Sequence, residues 1–140
     1  MTDLQCAAPG CFGKLMSHAD FVQRHMLPGF LQRWDHWLQE AMHRARHRIG
    51  DDWLPVYLHS PIWRFALAAG ACDAHAWAGV MMPSVDSVGR QFPLTIVARL
   101  SQDADLLGCL RDGQDWYATL ETLALSSLCA EFRLVDFDAA

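Results

Sequence analysis

The spacing of apolar residues between Pro28 and Ile49 constrains this chain's fold more than any other feature. Phe30, Leu31, Trp34, Trp37, Leu38, Ala41, Met42, Ala45 and Ile49 recur at intervals of three and four. A helix gathers residues spaced in this way into one stripe that faces a core. Pro28 suits the first turn of such a helix, and Gly50 suits the left-handed cap that ends it. Trp34 and Trp37 belong to the stripe, so both are expected in the core, where they are commoner than on a binding face.

The segments around this helix change period. Residues Pro9 to Leu15 read as a short strand between glycines. Ser17 or Asp20 offers a helix cap, and Phe21, Val22, His25 and Met26 are expected to form one short helix ended by Pro28. A short segment, Trp53 to Leu58, leads to Ser60-Pro61. Three strands are then expected: Ile62 to Ala68, Ala76 to Met82, and Pro93 to Leu100, the last rich in β-branched residues. The links Ala69–Ala74 and Pro83–Arg90 are short enough for antiparallel neighbours. Helical spacing returns from Asp103 to Leu110. It returns again from Asp112 or Gly113 through Trp116, Leu120, Leu123, Leu125 and Leu128. Phe132 to Phe137 alternates as an edge strand would. The expected architecture is α+β: a single-domain sandwich over residues 1–140, with a central, largely antiparallel sheet flanked by helices.

A chain of 140 residues suits one domain and buries roughly two-thirds of its unfolded surface. Hydrophobic residues make up 52%, with six tryptophans and seven phenylalanines, so the chain is not disordered and needs no metal or disulfide to hold a core. Apolar runs such as Phe65 to Ala71 are too short to span a membrane. Residues Met1 to Gly10 lack the pattern of a signal peptide, which points to a cytoplasmic protein. The five cysteines, Cys6, Cys11, Cys72, Cys109 and Cys129, form no CxxC and are expected to be reduced. The net charge of −5 lies towards the C-terminus, and only His43 to Arg48 is markedly basic. Nucleic-acid binding is therefore not expected.

No group of residues makes a convincing catalytic or metal site. Ser17, His18 and Asp20 are the residue types of a triad, but near-adjacent positions rarely give triad geometry, and a helix cap explains them better. A small hydrolase using Cys11 or Ser17 with His18 is the competing functional class. His43 and His47 have zinc-compatible spacing, but no glutamate lies between them and arginines flank them. No glycine pattern supports a nucleotide, and no cofactor is expected. Ser84, Asp86 and Arg90 lie in a loop beside an apolar strand. Asp86 and Arg90 could pair, and Arg64 could join them, which either pins the loop through charge-assisted hydrogen bonds or forms a partner-facing polar cluster, the pinned loop being the favoured reading.

Three segments carry a family resemblance: Gly10-Cys-Phe-Gly-Lys-Leu-Met-Ser-His-Ala-Asp-Phe21, Ser60-Pro-Ile-Trp-Arg-Phe65, and Gly79-Val-Met-Met-Pro-Ser-Val-Asp-Ser-Val-Gly-Arg-Gln-Phe-Pro-Leu94. In that order, with a Trp-rich helix between the first two, the chain resembles the TagF/ImpM family over about Pro9 to Leu100. Met16 and Ala19 stand where that family usually has proline and glycine, which bears on the shape of the turn after the first strand. The resemblance implies a non-enzymatic, cytoplasmic accessory protein of the bacterial type VI secretion system. Such proteins are regarded as post-translational repressors of assembly, linked to threonine phosphorylation and to a forkhead-associated scaffold. The motif-bearing loops combine charge with exposed placement, so the expected partner-binding residues are Lys14, Asp20, Arg64, Ser84, Asp86 and Arg90.

Overall fold

A strand apolar at nearly every position must be covered on both faces. Trp77–Met82 and Leu94–Arg99 are two such strands, and both lie inside the sheet. The computed structural model describes residues 9–15, 21–101 and 105–127. Its strands are β1 (Gly10–Gly13), β2 (Val22–Arg24), β3 (Trp63–Leu67), β4 (Trp77–Met82) and β5 (Leu94–Arg99). The helices are α1 (Pro28–Ile49), α2 (Trp53–Leu58), α3 (Leu106–Asp112) and α4 (Gln114–Ser126), with a 3-10 turn at Gly50–Asp52 between α1 and α2. The five strands form one sheet in the order β2-β1-β5-β4-β3, and every neighbouring pair is antiparallel. The fold is α+β, and among the described residues no helix is long and apolar enough to cross a membrane.

Strand alternation sorts the interior into two cores. Ala78, Val80 and Met82 of β4 and Leu94 and Ile96 of β5 point to one face. There they meet Cys109 of α3 and Tyr117, Leu120 and Ala124 of α4. Trp77 and Val97 point to the other face, where Phe30, Trp34 and Leu38 of α1 cover them. Aromatic rings dominate this second core: Phe30 stacks on Trp77 at 4.2 Å and on Trp34 at 5.6 Å, and Trp34 stacks on Phe65 at 5.0 Å. The indole N–H of Trp34 donates to Thr95 Oγ1 at 2.8 Å, which satisfies two polar groups in the middle of this layer.

Helix α1 begins at Pro28 and ends at Gly50, whose φ of 72° lies in the left-handed region. Arg46, His47 and Arg48 occupy its last turn, where positive charge complements the helix dipole. Trp37 departs from expectation. It sits at the margin of the stripe, touches Trp34 at 4.9 Å and is 51% exposed. The other correction concerns Phe21 to Met26, which contain a strand rather than a helix. Val22 pairs with Gly13, and Arg24 with Cys11. A few residues cannot offset the cost of nucleating a helix alone, whereas pairing with β1 supplies hydrogen bonds at once. His25, at φ 54°, then turns the chain away from β2. The cap at Ser17 or Asp20 and the strand expected at Phe132–Phe137 lie outside the described residues.

The two tryptophans separate in energy. Trp34→Ala is expected to cost about 3–5 kcal/mol, because it empties a site that is only 6% exposed. Trp37→Ala should cost well under half of that. Urea denaturation of both variants checks this. Equal losses would show that Trp37 is held as tightly as Trp34.

Candidate functional site

Between β4 and β5 the chain makes a compact loop, closed by an isolated bridge between Val85 and Gln91. Asp86 organises it in the manner of an Asx turn. Its Oδ1 accepts hydrogen bonds from the backbone N–H of Val88 (3.0 Å) and of Arg90 (2.9 Å). Its Oδ2 accepts from Arg90 Nε at 2.7 Å and from Lys14 Nζ at 3.2 Å. Gly89, at φ 87°, allows the chain to reverse between these donors. The Asp86 side chain is fully buried and that of Lys14 is nearly so. Burial by itself would push the Asp86 carboxyl up. The Arg90 backbone N–H, the two cations and the Val88 N–H outweigh it and hold the group well below the usual carboxylate range.

Ser84 extends the network in two directions. Its hydroxyl donates to the Lys14 carbonyl at 2.6 Å, tying the loop to the end of β1. Its backbone N–H donates to the Tyr57 hydroxyl at 2.8 Å, and that hydroxyl donates to the Ser84 carbonyl at 2.8 Å, tying the loop to α2. Burial pushes the Tyr57 hydroxyl up to about 12, opposed by the Ser84 bond and the Arg46 charge. An aromatic lid closes the cluster. Phe21 stacks on Phe12 at 5.8 Å and meets Phe92 edge-on at 5.0 Å, while Lys14 Nζ lies 5.0 Å from the Phe21 ring centroid. Gly13, at φ 141°, makes the approach possible, since a Cβ there would lie 2.1 Å from the Pro93 carbonyl oxygen.

The structure therefore unites Lys14, Ser84, Asp86 and Arg90. The first three are interior, and only Arg90 extends outwards, its side chain 57% exposed. Asp20 lies outside the described residues. Arg64 does not join the group. It stands opposite Val80 in the β3–β4 register, on the α4 face, where it pairs with Glu121, donates to Gln114 and lies over the Tyr117 ring at 5.5 Å. Alternation decides this: residue 64 faces the opposite side of the sheet from Phe65 and Trp34. Tyr57 is the member that sequence reasoning missed. Its only signal is an aromatic with a polar tip inside an otherwise apolar helix.

This arrangement shapes a loop and does not suit catalysis. A carboxylate saturated by four donors stays ionised and has no capacity left to take a proton. Cys11 is buried, and Ser17 and His18 lie outside the described residues. Burial pushes the Cys72 and Cys109 thiols up, away from reactive thiolate character. His43 and His47 project from the exposed side of α1, and the described residues contain no cluster of three or more metal-ligating side chains.

Known proteins place these features in context. The model of the TagF N-terminal domain, described as type VI secretion system-associated, matches residues 10–140. The crystal structure of PA0076 from Pseudomonas aeruginosa PAO1 superimposes with a TM-score of 0.90 at 41% sequence identity. The match covers 94% of this chain and 60% of that protein, so the chain spans less than two-thirds of PA0076. No curated protein sequence matches.

Two pH limbs follow from the site. The lowered Asp86 value means that its contribution to stability is present at neutral pH and is lost as pH falls below the ordinary carboxyl value of 3.8. Asp86→Asn should lower the neutral-pH melting temperature and flatten the acid limb. The raised Tyr57 value acts in the opposite direction. Its contribution is complete below pH 10 and declines as pH rises from 10 to about 12. Tyr57→Phe should remove that alkaline decline. Melting curves across pH check both limbs, and unchanged limbs would mean that these groups do not control them.

Proposed function

Because this chain belongs to the TagF family of type VI secretion-associated proteins, we propose that it is a non-enzymatic accessory factor that represses assembly of the secretion machine after translation. It does so in the cytoplasm by binding components such as a forkhead-associated scaffold. The observation that carries this reading is the family match across residues 10–140. The site geometry supports it, since two of the family-like segments build a hydrogen-bonded loop rather than a reactive centre.

Lys14, Ser84 and Asp86 act from the interior in this reading, setting the loop's shape. Arg90 offers its guanidinium to the partner from a fixed base. Loops fixed on a sheet are where binding residues commonly sit, and arginine is enriched in interface hot spots. A charge reversal at Arg90 would set a second carboxylate against buried Asp86 and so confuse binding with folding. Arg90→Gln removes the cation without that repulsion.

The purified chain should capture the forkhead-associated scaffold of its host. Arg90→Gln should weaken capture about tenfold or more; the chain still folds, with a lowered melting temperature, because Lys14 and the backbone N–H groups of Val88 and Arg90 still meet Asp86. Correctly folded wild-type protein that recovers no scaffold would defeat the proposed partnership. Full capture by Arg90→Gln would remove Arg90 from the interface.

A further inference from the structure

Beside the Asp86 loop, on the α1 face of the molecule, runs an apolar groove. It consists of two adjoining cavities of about 260 Å³ and 630 Å³ that share Trp37, Trp63 and Met81. Trp63 is 57% exposed, and Val56 and Ile49 also lie open along it. Ring-sized apolar groups left this exposed, and placed side by side, are the hot-spot type of interface residue. Tyr57, Pro83 and Pro93 line the smaller cavity, so the groove runs up to the loop that Ser84 and Asp86 hold.

Charge indicates what would lie in it. On α1, Arg33, Trp37, Arg44 and Arg48 follow at intervals of four, seven and four, which puts them in one row along the helix. All four are exposed. Arg33 donates to the Cys72 carbonyl at 3.0 Å, and Arg44 meets Glu40 at 3.8 Å in open solvent. Within α1 four arginines face only Asp35 and Glu40, in a chain whose net charge is −5. Asp51 and Asp52 lie past the end of the row, in the 3-10 turn. Trp53 also lines the groove, with the Arg46 guanidinium 5.4 Å from its ring centroid.

We propose that this groove docks an acidic segment of a partner protein. The segment's apolar side chains pack between Trp37 and Trp63, and its carboxylates face the Arg33, Arg44 and Arg48 row. The proposal takes from the preceding section only that the partner is a protein, and it does not depend on which one.

The test uses the whole chain and a short synthetic peptide of glutamate, phenylalanine and leucine. A matched peptide with lysine in place of glutamate is the control. Tryptophan fluorescence and amide NMR shifts report binding. The acidic peptide should bind and shift resonances around Trp37 and Trp63, and its affinity should fall with salt. Trp37→Ala and Trp63→Ala should each weaken it about tenfold or more, with melting temperatures nearly unchanged. Arg44→Glu combined with Arg48→Glu should reverse the preference between the peptides. Equal binding of the two peptides, or binding indifferent to both tryptophans, would overturn the proposal. So would a concentration-dependent dimer that shields Trp37 and Trp63, since a second copy would then be the occupant. If scaffold capture fails while peptide binding succeeds, the proposed partner falls and the groove assignment stands. Scaffold capture that is indifferent to Trp37→Ala and Trp63→Ala, in a chain that binds neither peptide, sinks the groove alone.

Discussion

The fold turns on a carboxylate removed from water. Taking Asp86 fully inside is costly unless its charge is matched by donors, and breaking such a pair leaves an uncompensated buried charge. Here two backbone N–H groups and two cations meet the carboxylate together. The geometry that satisfies it requires β1, the β4–β5 loop and the Arg90 backbone to stand in one relation. The ion pair is weak evidence for stability in itself; what it does is limit the arrangements in which the Asp86 charge is satisfied. Ser84 and Tyr57 carry that constraint outward to α2, and Phe21 and Phe92 cover it.

The family segments make physical sense in these terms. The first supplies Gly13, which lets the backbone approach Pro93, and Lys14, which reaches Asp86. The third supplies Gly79, where a Cβ would lie 2.1 Å from the Ile96 carbonyl oxygen, and then the loop that wraps Asp86. The second segment stands apart: Arg64 serves the α4 face with Glu121, and Trp63 opens onto the groove. Two segments thus fix the shape of one loop, and the remaining one joins the sheet to its outer layers. The surface beside that loop carries the exposed tryptophans, which contribute little to the core and are therefore available for contact.

Much of the architecture was legible because it rests on short-range periodicity. Helix α1 followed from three-and-four spacing between Pro28 and Gly50, and β3, β4 and β5 from apolar runs with short links. The ends of β3, β4 and β5 moved by at most a residue. The readings that failed share one cause. Phe21 to Met26 fit a helix locally, but β1 was available as a pairing partner, and Trp37 sat at the margin of a stripe whose covered width depends on the sheet beneath it. Sequence spacing cannot measure either of these.

The candidate site divides along the same line. The sequence by itself offered Asp86 and Arg90, four apart in a glycine-containing turn, as a pair, because local chain geometry can bring them together. It also determined the resemblance that places the chain in its family. Only the tertiary structure decided that Lys14 completes the pair from 72 residues away, that Tyr57 braces Ser84, and that Arg64 turns to the opposite face. These outcomes depend on strand order and on the alternation of side chains across a sheet. Strand order emerges only when both faces of the sheet are covered and a buried charge such as that of Asp86 has met its donors.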